Sequence, residues 1–154
     1  MKTFFSENHK LRDANTELYG GELVKPFERP QRLDFIVEEI KKRDLGEILS
    51  PNKIDLKIIN KVHDHDYIKF LDSAWNEWIK EGFKGEAIPT VWPSRSMNSD
   101  KIPTFIEGKL GYYCLAGETS ISNGSIEAAY EVVKVAISAV DTLLNEKLSG
   151  IFAL

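Results

Sequence analysis

The C-terminal part of the chain carries the pattern that most restricts the fold. Apolar and polar residues recur with helical period from about residue 124 to residue 146, which predicts a long amphipathic helix. The short apolar run 150–154 (GIFAL) follows it and is typical of a strand buried in a parallel sheet. The two together predict an α/β fold, and because the chain ends inside this strand we expect an incomplete domain. The residues expected to form the helix's one narrow solvent-exposed face are Glu127, Glu131, Lys134, Ser138, Asp141 and Asn145.

The first part of the chain predicts further helices and short strands. Leu33, Ile36, Val37 and Ile40 repeat with helical spacing, and Pro30 suits the first turn of a helix because its missing N–H needs no partner there. The fragment should therefore be rich in helix, with a few short parallel strands. The predicted elements are helices near 30–43, 55–62 and 65–81, an opening strand over Lys2–Phe5, and a strand or turn over 47–50.

Two segments lack a sustained period. Residues 6–29 are expected to form a long loop, since Gly20, Gly21 and Pro26 interrupt any helix. Residues 83–123 carry scattered prolines and glycines over a length that is unusual for a loop in a compact domain. We expect this second segment to border a site or to grip a partner.

Composition excludes several classes of protein. The 154 residues are 42% hydrophobic and 29% charged, which is typical of a globular domain. With a net charge of −4 and no basic stripe, a nucleic-acid partner is not expected. Cys114 is the only cysteine, so no intrachain disulfide can form, and no apolar run approaches a membrane span. The N-terminus lacks the apolar core of a signal peptide, so we expect a soluble cytoplasmic protein without a membrane partner.

The chemistry-bearing residues do not by themselves define an active site. The run His63-Asp64-His65-Asp66 is a weak metal motif, because neighbouring residues do not share a helix face, and it more readily predicts the capped start of a helix. Cys114 has no base near it in the sequence, which favours a buried or incidental thiol. We therefore expect no catalytic residue and no metal ligand in this chain.

Carboxylates and aromatic residues occur together in the irregular segments. These residues could bind an alkylammonium group through ion pairing and cation–π contact. The acids are Glu17, Glu107 and Glu118, and the aromatic residues are Tyr19, Phe27, Tyr112 and Tyr113. Ordinary solvated or capping roles for these acids stay open at this point.

Several stretches, in order along the chain, resemble the bacterial acetylpolyamine amidohydrolases of the arginase/histone deacetylase superfamily. Residues 5–12 (FSENHKLR) and 16–24 (TELYGGELV) resemble the start of those enzymes. Residues 27–33 (FERPQRL) and 62–71 (VHDHDYIKFL) resemble segments found across deacetylases. Shorter stretches similar to the polyamine branch are 84–88, 102–104, 106–108, 111–114 and 118–122.

The resemblance implies the N-terminal portion of the three-layer arginase/deacetylase fold, over a single but incomplete domain 1–154. In complete relatives, the strand that corresponds to Ile151–Leu154 precedes the catalytic histidines, the zinc ligands and the transition-state tyrosine. None of these can be mapped here, so zinc is expected only in a full-length relative and this chain alone is expected to be inactive. The resemblance places Tyr19 and Phe27 in the active-site wall and Glu107 and Glu118 near the cationic tail of a polyamine substrate.

Three functional hypotheses follow from the resemblance. The chain is a truncated piece of a zinc-dependent acetylpolyamine deacetylase, a non-catalytic module that dimerises or binds polyamines, or one chain of a split deacetylase completed by a second-half chain. The resemblance also implies that 83–123 is an insertion through which such enzymes dimerise. Because half a parallel sheet leaves strand edges and apolar helix faces uncovered, we expect a homodimer or higher oligomer.

Overall fold

The computed structural model describes residues 1–154, which form four α-helices and five short strands. The helices are α1 (Gln31–Lys42), α2 (His65–Lys80), α3 (Ile106–Tyr113) and α4 (Ser125–Asn145). The strands are β1 (Thr3–Phe4), β2 (Glu17–Tyr19), β3 (Glu22–Val24), β4 (Ile48–Leu49) and β5 (Phe152–Ala153). Two 3₁₀ helices span Glu7–Leu11 and Leu56–Lys61. No helix has the length and hydropathy that crossing a membrane requires.

A three-stranded parallel sheet joins the two ends of the chain. Its order is β4-β1-β5, with Thr3 of β1 opposite Ile48 of β4 and Phe152 of β5. The predicted α/β class, the opening strand, the strand near residue 48 and the final strand are therefore confirmed. The helix expected near 55–62 is present as a 3₁₀ helix, Leu56–Lys61.

Backbone contacts divide the chain into two compact units. The first comprises Met1–Asp13, Glu28–Lys57 and Gly124–Leu154, and contains the parallel sheet, α1 and α4. The second comprises Ala14–Phe27 and Ile58–Asn123, and contains β2, β3, α2 and α3. The single domain over 1–154 stays a prediction.

In the first unit, α4 packs against β1, β5 and the 3₁₀ helix Glu7–Leu11. Phe4, Val135 and Ala139 are buried together there, with Leu49 and Ile151 packed against them. These contacts cover one face of α4 and one face of the sheet. Burial of apolar surface between the two stabilises both elements.

The solvent-exposed face predicted for α4 is wrong in part. Ser138 is completely buried, and its hydroxyl accepts a hydrogen bond of 2.8 Å from the backbone N–H of Asn52. Glu131 accepts a hydrogen bond of 2.9 Å from the Ser6 hydroxyl and pairs with Lys134. The polar stripe thus partly faces inward because the unit supplies hydrogen-bond partners for it.

The second unit has an aromatic core formed largely by α2 and α3. Phe70, Ala74 and Trp78 of α2 are buried with Ile106 and Leu110 of α3. The ring of Phe70 stacks on that of Tyr113, with centroids 4.6 Å apart. The helix predicted near 65–81 is confirmed, because α2 spans His65–Lys80. Segment 83–123 is not wholly irregular, however, because it contains α3.

Candidate functional site

A hairpin in the second unit occupies part of the segment that was expected to be a loop. Strands β2 and β3 pair antiparallel, with Tyr19 opposite Glu22. Gly20 and Gly21 connect them with φ of +60° and +85°, a backbone conformation that suits the right-handed twist of a two-residue hairpin. Gly20 and Gly21, which disfavour a helix, therefore specify this turn.

Tyr19 and Phe27 form an exposed aromatic pair. Their rings meet edge to face, with centroids 5.5 Å apart and planes at 78°. The exposed fractions are 62% for Tyr19 and 64% for Phe27, so most of each side chain is open to a ligand. Open aromatic faces of this kind attract ammonium groups through their ring quadrupoles.

The carboxylate of Glu86 anchors the base of the hairpin. It accepts hydrogen bonds of 2.6 Å from the Asn15 backbone N–H and from the Thr16 hydroxyl, and one of 3.2 Å from the Asn15 side-chain amide. Partial burial raises the pKa of Glu86, but these hydrogen bonds outweigh it and leave the pKa below its ordinary value. The ionised carboxylate is therefore part of what fixes the hairpin in place.

This anchor predicts an acid-sensitive second unit. Because the pKa of Glu86 is lowered in the folded chain, its contribution is fully present above the ordinary pKa of 4.5 and is lost as pH falls through the folded value. We expect Glu86→Gln to lower the free energy of unfolding at pH 7 by about 1–3 kcal/mol. We also expect a shallower loss of stability below pH about 4.5 than in the unmodified chain.

Urea unfolding followed across this pH range measures both effects. Glu81→Gln is the matched control, since Glu81 is an exposed acid in the same unit. Identical acid slopes for the unmodified chain and Glu86→Gln would show that this carboxylate does not anchor the hairpin.

Glu118 lies on a segment that is fixed against the hairpin. A Cβ added at the preceding residue, Gly117, would lie 3.1 Å from a methyl of Leu18, so backbone and hairpin are in close contact here. Ser120 donates to the Thr16 carbonyl at 3.2 Å and Ile121 pairs with Ala87. Glu118 itself is exposed. Its carboxylate is thus presented to solvent from a segment packed beside the strand that carries Tyr19.

Glu107 lies in the first turn of α3 and is exposed. Lys109, two residues later, pairs with Glu77 of α2 at 2.6 Å. Partial burial raises the pKa of Glu77, but hydrogen bonds from Lys109 and Ser73 outweigh it and keep the pKa below its ordinary value. This inter-helix ion pair positions α3, and with it Glu107.

The four site residues that the resemblance indicated, Tyr19, Phe27, Glu107 and Glu118, therefore fall in one compact unit. The structure brings Tyr19 and Phe27 into contact and fixes the Glu118 segment against the hairpin. Glu107 is carried by a separate element, and no hydrogen bond or ion pair links it to the other three. Their roles in binding a substrate stay predictions.

The histidine–aspartate run begins α2, as the sequence indicated. Asp64 is the N-cap, and its carboxylate accepts a hydrogen bond of 2.8 Å from the Asp66 backbone N–H. His63 and His65 are exposed. Nowhere in residues 1–154 do three or more His, Cys, Asp or Glu side chains converge as metal ligands. The residues present therefore do not fit the zinc site that the family resemblance implies for a full-length relative.

Cys114 occupies a setting that disfavours a nucleophile. The side chain is partly buried, and burial raises the pKa of its thiol. Its backbone carbonyl accepts a hydrogen bond of 2.8 Å from the Trp92 indole N–H.

Two cavities were not predicted from the sequence. One, of about 190 Å³, lies between α2 and α3 beside the Glu77–Lys109 pair. It could not be anticipated without α3. The other, of about 410 Å³, lies in the first unit and has an apolar floor with a charged edge, where Arg32 pairs with Glu28. No local pattern indicated the second, because Arg12 lies far along the chain from Arg29 and Arg32.

Comparison with known proteins identifies the family. Residues 26–154 match the histone deacetylase domain. The chain belongs to this family. It is 48% identical over 143 residues to the acetylpolyamine amidohydrolase of Mycoplana ramosa, and 33% identical over 145 residues to acetylpolyamine amidohydrolase 2 of Pseudomonas aeruginosa. The resemblance to bacterial acetylpolyamine amidohydrolases is thereby confirmed.

The alignments cover 93% and 94% of this chain but 42% of each relative. The chain thus spans less than half the length of the relatives that it matches. A crystal structure of acetylpolyamine aminohydrolase from Burkholderia pseudomallei superposes with a TM-score of 0.83 at 22% identity. That match covers 94% of this chain and 42% of the other and establishes the arginase/deacetylase fold.

Proposed function

We propose that this chain forms the N-terminal, substrate-tail-binding part of a zinc-dependent amidohydrolase that removes the acetyl group from acetylated polyamines. The observation that carries the proposal is the exposed Tyr19–Phe27 pair, in which Tyr19 lies on an anchored hairpin beside the Glu118 segment. The 48% identity to an acetylpolyamine amidohydrolase supports it. Since the residues present do not fit a zinc site, the metal and the proton-transferring groups belong to the remaining part of the domain.

The proposed contribution of this chain is attraction of the substrate's cationic tail. Ammonium groups pair with the carboxylates of Glu107 and Glu118 and lie against the faces of Tyr19 and Phe27. Exposed ion pairs contribute about 0–1 kcal/mol each and weaken with salt. A cation over an exposed aromatic ring adds about 0.5–1 kcal/mol. Such a surface selects cationic substrates without taking part in amide cleavage.

We expect Glu118→Gln and Glu107→Gln each to raise KM for a monoacetylated diamine by about two- to five-fold, with kcat unchanged. The effect should shrink as ionic strength rises. The measurement uses the chain joined to the remaining part of the Mycoplana ramosa relative, which would supply the catalytic groups. KM for N-butylacetamide, which has the same acetamide but no ammonium group, should not change.

Glu81→Gln is the control variant, since Glu81 is an exposed acid at the C-terminal end of α2. Equal losses on charged and neutral substrates would overturn the binding role, because they would show that these acids hold the structure together instead.

A second candidate is a non-catalytic module that binds polyamines. It is favoured by the location of all four candidate residues in one compact unit. A third is one chain of a split deacetylase that a second-half chain completes. Binding of a diamine to the chain without any acetate release from the joined protein would favour the module.

Self-association as a homodimer or higher oligomer is also proposed. It is supported by exposed apolar side chains in segment 83–123. These residues are Val91, Trp92, Met97, Ile102, Phe105 and Leu115.

A cytoplasmic location is proposed from the single cysteine.

A further inference from the structure

The β2–β3 hairpin depends on support from the rest of the second unit. Its strands, Glu17–Tyr19 and Glu22–Val24, have three residues each, and no third strand pairs with them. An isolated two-stranded hairpin is at best marginally stable in water. The position of the Tyr19 ring is therefore decided by the contacts that connect this hairpin to the core.

The backbone on both sides of Glu86 is fixed to that core. The carbonyl of Gly85 accepts a hydrogen bond of 3.0 Å from the indole N–H of Trp78, which is buried in the core. Ala87 is completely buried and exchanges two backbone hydrogen bonds with Ile121, of 2.8 and 3.0 Å. The Glu86 carboxylate is therefore attached to a well-supported segment of backbone.

This carboxylate binds the chain at the point where it enters β2. It accepts hydrogen bonds from Asn15 and Thr16, the two residues that directly precede the strand. Hydrogen bonds to an ionised acceptor are about twice as strong as those between neutral groups. Tyr19 follows Thr16 by three residues, at the other end of this short strand. Glu86 thus fixes the start of the segment that carries the Tyr19 ring.

The two faces of β2 have different surroundings. Successive side chains of a strand point to opposite faces, so Leu18 and Tyr19 lie on different sides of the hairpin. A methyl of Leu18 lies close to Gly117, whereas Tyr19 is 62% exposed and contacts Phe27 at its edge. Because most of the Tyr19 side chain is in solvent, its position is set by the backbone of β2 rather than by packing around the ring.

We propose that Glu86 is a positioning residue for substrate binding and that it acts through Tyr19. By fixing the start of β2 to the core, it keeps the ring where an ammonium group of the substrate meets it, without itself contacting the substrate. Cation–π attraction requires the cation to lie over the ring face, so a displaced ring loses it. This inference rests on the proposed function, because it names a residue that supports the proposed ammonium-binding surface.

A double-mutant cycle in the joined protein tests the inference. KM and kcat are measured for a monoacetylated diamine and for N-butylacetamide in Glu86→Gln, Tyr19→Leu and the double variant, at a temperature where each is fully folded. We expect Glu86→Gln to raise KM for the cationic substrate by about two- to five-fold, as for loss of an exposed cation–π contact. Its kcat, and both constants for N-butylacetamide, should not change.

The double variant carries the decisive comparison. In the Tyr19→Leu background, Glu86→Gln should change KM for the cationic substrate by less than about 1.5-fold, because the ring through which it acts is gone. In the Glu107→Gln background it should keep its full effect, since Glu107 lies on a separate element. Glu81→Gln is the matched control and should leave both constants unchanged, because Glu81 is an exposed acid away from the hairpin contacts.

Thr16→Val provides a second variant of the same anchor. It keeps the shape of the side chain and removes the hydrogen bond of 2.6 Å from the Thr16 hydroxyl to Glu86. We expect KM for the cationic substrate to rise by about 1.5- to 2-fold, again only where Tyr19 is present. If Glu86→Gln does not fold, Thr16→Val with Tyr19→Leu completes the same cycle.

The possible results separate this inference from the proposed function. Effects of Glu86→Gln and Tyr19→Leu that multiply would overturn the inference, as would equal losses on the cationic and neutral substrates, which an anchor that only stabilises the fold would give. A raised KM in Tyr19→Leu with an unchanged KM in Glu86→Gln would overturn the inference and leave the proposed function standing. A joined protein that releases no acetate would overturn the proposed function, and the inference with it.

Discussion

Replacing Gly111 by alanine is expected to lower the free energy of unfolding by about 2–4 kcal/mol. Gly111 is buried within α3, where a methyl group would overlap the Val91 carbonyl oxygen and lie 2.8 Å from the carbonyl carbon. The backbone of residues 91–92 would have to move away, and the hydrogen bond from Trp92 to the Cys114 carbonyl would break. The sign is informative, because glycine to alanine inside a helix ordinarily stabilises it by about 1 kcal/mol.

Urea unfolding measures this change, and hydrogen exchange of the Trp92 indole N–H reports the local displacement. Gly150→Ala is the control, since a Cβ there meets nothing within 4 Å and its φ is not in the left-handed region. A stability change within about 0.5 kcal/mol is expected for it. If Gly111→Ala were as stable as the unmodified chain or more so, the close approach of residues 91–92 to α3 would be wrong.

The long periodic elements were predictable from the sequence because local and tertiary preferences agree in them. α2 has an aspartate N-cap at Asp64 and buries Phe70, Ala74 and Trp78 on one side, as its spacing indicated. β5 was recognisable because residues 151–154 form a continuous apolar run, and it pairs parallel to β1 as expected. In such segments the local sequence pattern and the tertiary packing favour the same structure.

α3 was not predictable, since its formation depends on contacts distant in the sequence. It has only eight residues, and Gly108 and Gly111 both disfavour a helix. Both glycines are required by close neighbours, Pro103 and Val91, which no local pattern reveals. The hairpin, in contrast to α3, was predictable from the sequence, because Gly20-Gly21 between two short β-compatible stretches is a recognised turn signal.

The α4 residues show why periodicity alone does not decide which face of a helix is buried. The spacing defines distinct stripes, but the polar stripe includes Ser138, which is fully buried because Asn52 supplies its hydrogen bond. Val140, on an apolar stripe, is exposed in the chain as it stands. Which stripe faces inward depends on the elements packed against the helix.

The candidate site was predictable only in its residue types. Aromatic and acidic residues in irregular segments suggested a cationic ligand, and the structure places Tyr19 and Phe27 in edge contact. The hydrogen bonds of Glu86 that hold the hairpin join residues about seventy positions apart in the sequence. No local pattern could indicate such an anchor.

The largest expected effect is on catalysis itself. The chain alone holds no convergent set of metal ligands, so we expect it to release no acetate from a monoacetylated diamine above the rate in buffer. Joined to the remaining part of the Mycoplana ramosa relative, it should gain the catalytic groups while supplying the Tyr19–Phe27 and Glu118 surface. Because enzymes commonly accelerate reactions by 10⁶-fold or more, a gain of at least about 1,000-fold over the chain alone is expected even for an imperfectly matched joined protein.

Acetate release from a monoacetylated diamine, measured for the chain, for the remaining part of the relative and for the joined protein, therefore tests the central claim most directly. We expect only the joined protein to release acetate, with a higher kcat/KM for the cationic substrate than for N-butylacetamide. Release by the chain alone at a rate comparable to that of the joined protein would contradict it, as would a cooperatively folded joined protein that releases no acetate.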